Sequence, residues 1–295
     1  MSTLPEPMKI ARVAVLGAGT MGHGIAQVSA AAGYTTFLHD VTPELIERGY
    51  EAIQSSLFKA VSKGKLSMED QEHVLLKLKK APVLADAVAT ADLVIEAAPE
   101  KLDLKRAIFR DVAAKGKPSA ILASNTSSLS ISAIAEAVPS PERVVGMHFF
   151  NPPPIMKLLE IVTGRATSDA TLATVLEVGR RMQKETIVVR DSPGFATSRL
   201  GLAIGLEAMR MFEEGVASAA DIDRAMELGY NHPMGPLKLT DLVGLDVRLA
   251  IAEHLERELK TERFRPPDVL RKLVAEGKLG KKTGEGFHKW DAPPK

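Results

Sequence analysis

The spacing of apolar residues near the start of the chain changes in a regular order. KIARVAVLG is a continuous β-rich apolar run, MGHGIAQVSAAAG has the Ala-rich composition of a helix closed by Gly33, and YTTFLHD is strand-like again. A strand, a glycine turn, a helix and a second strand form a βαβ unit, which requires a parallel pair of strands. The pattern therefore predicts the start of a doubly wound, mostly parallel sheet of the Rossmann type.

Two helical segments follow this unit, at about Pro43–Ser62 and Ser67–Lys80, and they are expected to form a helical hairpin inserted between strands. Four short apolar runs then predict buried strands: ADLVIEAAP, SAILASN, RVVGMHFF and IMKLLEIVT. Two more helices alternate with these strands, at about Glu100–Lys115 and Thr167–Met182. This alternation is typical of an α/β fold.

The pattern changes after TIVVRDSPGF, and from Phe195 onward the sequence is mainly helical. The stretch Asp191-Ser-Pro-Gly marks the boundary, because proline and glycine interrupt both strand and helix periodicities. We therefore expect two domains. Residues 1–190 are predicted to form the Rossmann-type domain, and residues 191–295 a smaller all-α domain.

Composition is that of an ordinary globular protein and excludes several kinds of function. The 295 residues are 45% hydrophobic, with a formal net charge of +1, so the overall charge indicates neither nucleic-acid nor membrane-surface binding. The chain has no cysteine, which excludes disulfides and thiolate chemistry and fits a reducing, cytoplasmic location. No apolar run approaches the roughly 18 residues of a membrane-spanning helix, and no metal is expected.

A glycine-rich turn lies between the first predicted strand and helix. It reads GAGTMG, with Gly17, Gly19 and Gly22 at the characteristic spacing and Thr20 and Met21 between them. The motif alone is weak, but the strand–turn–helix context supports it. Gly17 permits the tight turn, Gly19 lets the backbone approach a pyrophosphate, and Gly22 allows close packing of helix on strand. A dinucleotide site is favoured over a glycine turn without a ligand.

The acidic residue at the end of the second strand bears on which dinucleotide is bound. Asp40 follows Gly22 by 18 residues, where a carboxylate can accept hydrogen bonds from both hydroxyls of the adenosine ribose. It would repel a 2′-phosphate, and no arginine follows at once to reverse that preference. NAD is therefore expected rather than NADP.

The stretch HFFNPPPIMKLLE is the strongest candidate for chemistry. His148 ends an apolar strand where ligands of such sheets bind, and histidine suits removal of a hydroxyl proton. Pro152, Pro153 and Pro154 favour an extended reversal, and a strand returning from Ile155 would bring Glu160 level with His148. Glu160 could then orient the imidazole. A hydrogen-bonded structural histidine is the alternative.

Two polar groups near this stretch are further candidates. ASNTSSL follows an apolar strand, and its Ser127 could reach a substrate oxygen, although runs of hydroxyl residues often serve only as caps or turns. Asn151, three residues after His148, offers amide donors to a carbonyl.

Five motifs, GAGTMGHGIA, ASNTSSL, HFFNPPPIMKLLE, DSPGF and KKTGEGF, together resemble those of the L-3-hydroxyacyl-CoA dehydrogenase family, in the same order and over nearly the whole chain. The chain resembles the stand-alone, short-chain form. This resemblance implies NAD-dependent oxidation of an L-3-hydroxyacyl-CoA to the 3-oxoacyl-CoA by a homodimer. The alternatives are a related dehydrogenase of a free hydroxy or sugar acid, such as L-gulonate, and a non-catalytic NADH-binding protein.

The resemblance also implies roles for individual residues. His148 would be the general base, Glu160 its partner, Ser127 a ligand of the substrate oxygen, and Asn151 a contact of substrate and nicotinamide. The further cofactor residues that it implies are Asp40, Glu100, Lys105 and Lys282. The CoA residues that it implies are Ser56 and Lys63.

One position departs from the family pattern. The family usually has Asn in PGF-x-x-N-R, whereas this chain reads PGFATSR with Ser198 at that place. A hydroxyl reaches less far and has fewer donors than an amide, so if the family Asn positions the substrate, Ser198 would do so through a water or not at all. This position therefore bears on substrate preference and turnover and not on the fold.

Overall fold

The computed structural model describes residues 4–291 of the chain. The chain divides into two compact units, Met1–Ser192 and Pro193–Lys295. The boundary predicted from the sequence, after residue 190, lies two residues earlier, directly before the DSPGF stretch.

The first unit is built on one sheet of eight strands. They are β1 (Arg12–Leu16), β2 (Thr35–His39), β3 (Leu78–Lys80), β4 (Leu93–Glu96), β5 (Ile121–Ser124), β6 (Val144–Phe149), β7 (Leu158–Thr163) and β8 (Glu185–Arg190). Their order across the sheet is β3-β2-β1-β4-β5-β6-β7-β8. All neighbouring pairs are parallel except β6 and β7, which are antiparallel. The predicted doubly wound, mostly parallel sheet is confirmed.

Seven helices accompany these strands in the described part of this unit. They are α1 (Thr20–Ala31), α2 (Pro43–Ser62), α3 (Met68–Lys77), α4 (Leu84–Val88), α5 (Leu102–Lys115), α6 (Ile131–Ala135) and α7 (Asp169–Arg181). The inserted helical hairpin is α2 and α3, as predicted. The short helices α4 and α6 are too brief to show a helical period in the sequence.

The sheet forms the core because its central strands are apolar on both faces. Val13, Val15, Ile95, Ile121 and Met147 are each fully buried. Parallel strands covered by helices on both sides read as such continuous apolar runs. Because β1, β4, β5 and β6 run parallel, their carboxyl ends lie along one edge of the sheet, where ligands of doubly wound sheets bind.

The prediction for the end of the hairpin is wrong by three residues. The helical pattern was expected to continue to Lys80, but Leu78–Lys80 form strand β3 instead. Leu78 is buried and pairs with Thr36 of β2. Pairing with the open edge of the sheet therefore outweighs the local helical preference. The outermost strands, β3 and β8, are both absent from the predicted strands.

The second unit is all-helical, as predicted. It contains α8 (Thr197–Glu213), α9 (Ala219–Gly229), α10 (Pro236–Val243), α11 (Leu245–Leu259) and α12 (Asp268–Ala275). Its own core includes Leu202, Leu206, Met209, Leu255 and Phe264, all essentially inaccessible to solvent.

Candidate active site

His148 and Glu160 are neighbours across the one antiparallel pair of the sheet. They are directly opposite in the register of β6 and β7, which places their side chains together on one face. Glu160 Oε2 lies 2.7 Å from His148 Nδ1. Glu160 is fully buried and His148 is 7% exposed. The predicted pairing of these side chains is confirmed.

This hydrogen bond has a chemical consequence for the imidazole. An ionised carboxylate can only accept hydrogen bonds, so the Nδ1–H of His148 donates to Glu160. In the neutral ring, the basic nitrogen is then Nε2. The ring of Phe150 lies 4.5 Å from that of His148, centroid to centroid, and supports it. The pair thus has the arrangement of a base and the acid that orients it.

The chain reverses between β6 and β7 by a turn over residues 151–156. The amides of Ile155 and Met156 each donate to the carbonyl of Pro152, at 3.0 Å. The expected extended reversal is therefore wrong in its local form, and β7 begins at Leu158 rather than at Ile155. The prolines still exclude a helix and still reverse the chain, so the pairing of His148 with Glu160 is unaffected.

The glycine loop joins β1 to α1 with little room for side chains. Gly17 has a left-handed φ of 103°, and a Cβ there would lie 2.7 Å from the carbonyl oxygen of Ala97. A Cβ on Gly22 would lie 1.6 Å from the oxygen of Gly17. A Cβ on Gly19 would meet nothing within 4 Å. Gly17 and Gly22 are thus required by the protein itself, whereas Gly19 leaves open space at the start of α1.

Asp40 lies next to this loop, as expected of a ribose-binding residue. Its Oδ2 accepts from the amide of Ala18 at 2.7 Å, and its Oδ1 accepts from the amide of Val41 at 2.7 Å. Thr20 and Met21 form the first turn of α1, after Gly19 as N-cap. The N-terminus of α1 has N–H groups without partners in the helix, and it lies beside the unobstructed backbone of Gly19, so it is suited to phosphate binding.

A second polar cluster lies beyond the ends of β4 and β5. Glu100 Oε1 accepts from the hydroxyl of Thr126 at 2.5 Å and from the amide of Ser127 at 3.0 Å. It also accepts from the amide and hydroxyl of Ser128. Burial raises the pKa of the Glu100 carboxyl, but Lys105 and these donors outweigh burial, and the pKa lies below its usual value. Glu100 therefore holds the loop that carries Ser127.

Lys105 is directed into the protein. It is 1% exposed, and its ammonium donates to Glu96 Oε1 at 2.6 Å and to the carbonyl of Ala98 at 3.1 Å. Glu100 Oε2 lies 3.4 Å away. The expected contact of Lys105 with the cofactor stays a prediction that this geometry does not favour. Its position beside Glu100 indicates instead that Lys105 stabilises the Glu100 carboxylate.

Two polar residues of this region were not predicted from the sequence. Glu96, at the end of β4, is fully buried and accepts from the Ser124 hydroxyl at 2.6 Å. Asn125 Oδ1 accepts from the amide of Phe149 at 2.8 Å and so ties the end of β5 to β6. A carboxylate closing the apolar run LVIE was the available signal for Glu96.

A cleft of about 190 Å³ lies beside α1. Its lining combines Thr20, His23 and Gln27 of α1 with Ser56 of α2 and the turn from Asn151. The structure thus brings together one residue from each of three predicted sets: Thr20 for the cofactor, Ser56 for CoA and Asn151 for the chemistry. Lys63 is exposed and is the C-cap residue that directly follows α2.

Lys282 and Ser198 belong to the second unit. The ammonium of Lys282 forms two contacts of 2.6 Å with the carboxylate oxygens of Asp246. Ser198 lies in the first turn of α8. Their predicted roles toward cofactor and substrate are not tested by the structure of this unit.

The described residues form neither a metal site nor a membrane span. Within residues 4–291, no group of three or more His, Asp or Glu side chains is arranged to hold a metal ion. Over the same range, no helix is both long and apolar enough to cross a membrane.

The fold and this edge of the sheet define a dinucleotide-binding protein with an oriented histidine, which is the class of NAD-dependent dehydrogenases. The family description "3-hydroxyacyl-CoA dehydrogenase, NAD binding domain" matches residues 12–192, and the C-terminal domain of the same family matches residues 194–290. The chain therefore belongs to the 3-hydroxyacyl-CoA dehydrogenase family. The resemblance noted from its five motifs is confirmed.

Individual relatives agree over nearly their whole length. The chain is 44% identical over 276 residues to a probable 3-hydroxybutyryl-CoA dehydrogenase of Deinococcus radiodurans, covering 94% of this chain and 99% of that one. It is 40% identical over 287 residues to the mitochondrial hydroxyacyl-coenzyme A dehydrogenase of Sus scrofa, covering 95% and 91%. The crystal structure of (S)-3-hydroxybutyryl-CoA dehydrogenase from Ralstonia eutropha superposes with a TM-score of 0.93 at 40% identity, covering 96% and 100%.

Proposed function

We propose that the protein catalyses the reversible, NAD-dependent oxidation of an L-3-hydroxyacyl-CoA to the 3-oxoacyl-CoA. The observation that carries the proposal is the hydrogen bond between His148 and the buried Glu160 at the ligand-binding edge of the sheet. Oxidation of an alcohol needs a base for the hydroxyl proton, and the oriented Nε2 of His148 supplies it. Glu160 stabilises the imidazolium that forms.

The residues around the glycine loop suit NAD. Gly19 leaves backbone open where a pyrophosphate would approach, and α1 directs its first N–H groups to the same place. Asp40 would accept from the ribose hydroxyls and disfavour a 2′-phosphate. When bound, NAD supplies the acceptor for the hydride that leaves the substrate. Glu100 and Lys282 remain proposed cofactor residues, the first through the Ser127 loop that it holds.

Ser127 and Asn151 are proposed to hold the substrate. The Ser127 hydroxyl is 3.3 Å from Glu100 Oε1, a weak contact that it can exchange for a substrate oxygen. Asn151 begins the turn after His148 and lines the cleft. Its amide can donate to the thioester carbonyl and to the nicotinamide.

The CoA portion of the substrate is assigned to the helical hairpin. Ser56 lines the same cleft as Asn151, and Lys63 follows it by seven residues, about two helical turns. A lysine at the exposed end of α2 can attract CoA phosphates, which the chain's net charge of +1 would do little to attract.

The second unit is proposed to carry substrate and dimer contacts. Leu200 and Ile204 lie one turn apart on α8 and are 64% and 41% exposed. Leu239, Leu242 and Val243 on α10 are also exposed. Exposed apolar side chains in such numbers favour burial of these helix surfaces against a second copy of the chain. Light scattering that gives the mass of a monomer would contradict the homodimer. A cytoplasmic location rests on the sequence alone.

The direct test is turnover of defined substrates. Acetoacetyl-CoA should be reduced with NADH, and much more slowly with NADPH, as followed by loss of reduced-nucleotide absorbance. A series of 3-oxoacyl-CoAs from four to sixteen carbons would define chain-length preference. Oxidation of L-gulonate without any use of CoA thioesters would favour the free-acid alternative. The relatives' names, which refer to CoA thioesters, do not favour that alternative.

A further inference from the structure

The turn over residues 151–156 has few hydrogen bonds of its own. Pro152, Pro153 and Pro154 have no backbone N–H, so three of its six residues cannot donate. Its internal bonds are those from Ile155 and Met156 to the carbonyl of Pro152. The position of this turn must therefore be set largely by contacts from outside it.

Lys184 makes such a contact. Its ammonium donates to the carbonyl of Pro153 at 2.5 Å and to the carbonyl of Met156 at 2.8 Å. One side chain thus joins two carbonyls that lie three residues apart in the turn. Lys184 lies outside the five sequence motifs, and the proposed reaction gives it no role.

The backbone of Lys184 is itself well held. Lys184 lies between α7 and β8, and its amide donates to Gly179 of α7 at 2.9 Å. The amide of the following Glu185 donates to the carbonyl of Lys157, just after the turn, at 2.9 Å. These backbone hydrogen bonds fix the position from which the Lys184 side chain extends to the turn.

The turn also contacts α1. A Cβ on Gly24 would lie 2.7 Å from Pro153 Cδ. The absence of a side chain at Gly24 therefore lets the Pro153 ring pack directly against α1. The same α1 begins at the glycine loop. The turn is therefore held by two outside contacts, one with α1 and one with the Lys184 ammonium.

The ammonium of Lys184 has no ion-pair partner in the described part of the chain. Among residues 4–291, no carboxylate oxygen lies within 4 Å of its ammonium. Burial lowers the pKa of Lys184 from its usual value. A half-buried cation carries a desolvation cost, and here its donors serve two backbone carbonyls.

We propose that Lys184 is a positioning residue, which holds the 151–156 turn and thereby sets Asn151 and the His148–Glu160 pair for reaction. The inference rests on the proposed function. Lys184 acts through the turn. Its loss should therefore affect the chemical step more than the binding of cofactor.

The test compares Lys184→Met with a matched control, Lys157→Met. Met keeps an unbranched side chain but removes the charge and the donors, and Lys157 is an exposed lysine just after the same turn. For Lys184→Met we expect kcat for acetoacetyl-CoA reduction to fall by about tenfold or more, since displacement of reacting groups by about 1 Å can cost about a hundredfold. NADH affinity and melting temperature should stay unchanged. Lys157→Met should keep wild-type kcat.

A second readout follows the turn directly. Hydrogen exchange of the Ile155 and Met156 amides should accelerate in Lys184→Met and not in Lys157→Met. Unchanged kcat, or a fall that the control shares, would overturn the proposal. Should Lys184→Met not fold, Lys184→Leu, which also lacks donors, carries the test, and wild-type kcat in that variant would overturn the proposal equally. A wild-type protein inactive on acetoacetyl-CoA would instead count against the proposed function.

Discussion

His148 and Glu160 face each other across β6 and β7, with Nδ1 2.7 Å from Oε2 and the carboxylate fully buried. They are twelve residues apart in the chain and meet because the proline turn makes this strand pair antiparallel. The imidazole donates to the carboxylate, and the carboxylate orients the imidazole. The proposed chemistry depends on this pair.

Replacement of His148 by Gln should abolish most of the activity. Gln has an amide of similar reach but cannot accept and hold a proton, so we expect kcat to fall by about 10²- to 10⁴-fold, the usual contribution of general acid–base catalysis. NADH affinity, measured by fluorescence titration, should remain close to wild type. Retained turnover would remove His148 from the mechanism.

Glu160→Gln tests the orienting role separately. The amide keeps the shape of the buried side chain but places no negative charge beside the imidazolium, so kcat should fall by about a hundredfold or more. The variant should still bind NADH. Glu185→Gln, an exposed position on the edge strand β8, is the control and should keep wild-type kcat. Equal activity in the two variants would show that Glu160 is only structural.

Two glycine substitutions should separate folding from cofactor binding. Gly22→Ala places a Cβ 1.6 Å from the carbonyl oxygen of Gly17, so we expect it to lower the free energy of unfolding by more than about 2 kcal/mol. Gly19→Ala meets no protein atom within 4 Å and should preserve the melting temperature. Because its methyl group occupies the open space, NADH affinity should fall by about tenfold or more. Unchanged NADH affinity in Gly19→Ala would place the nucleotide elsewhere.

Reversing the charge at the end of α2 should affect thioester substrates. Lys63→Glu replaces an exposed cation by an anion, so KM for acetoacetyl-CoA should rise by about fivefold or more, most clearly at low ionic strength. kcat and NADH affinity should change little. Lys79→Glu, an exposed lysine on the edge strand β3, is the matched control. A KM that is unchanged in Lys63→Glu, or raised equally in the control, would contradict a CoA site at the hairpin.

Much of the fold could be predicted because its signals are local. The alternation of apolar strands with helices, the glycine loop and the change of period after DSPGF each extend over a few neighbouring residues. The pairing of His148 with Glu160 could also be anticipated, since the prolines exclude a helix between two apolar runs. The five motifs were specific enough to identify the family.

The remaining features depend on contacts between distant parts of the chain. Leu78–Lys80 carry a helical pattern, yet they complete the edge of the sheet because β2 offers unpaired backbone groups there. Lys105 resembles a ligand-binding lysine in sequence, but the buried Glu96 directs it inward. The contacts of Lys184 with the proline turn span about 30 residues and leave no trace in any local pattern.

The sequence by itself determined the order of elements, the dinucleotide loop, the family and the pair of groups proposed for proton transfer, because local periodicity and rigid turns encode them. Only the tertiary structure decided how the turn after His148 is folded, which charged side chains are buried, and which side chains hold the 151–156 turn and the Ser127 loop in place. Those outcomes depend on which backbone carbonyls and carboxylates are brought within hydrogen-bond distance once the sheet has formed.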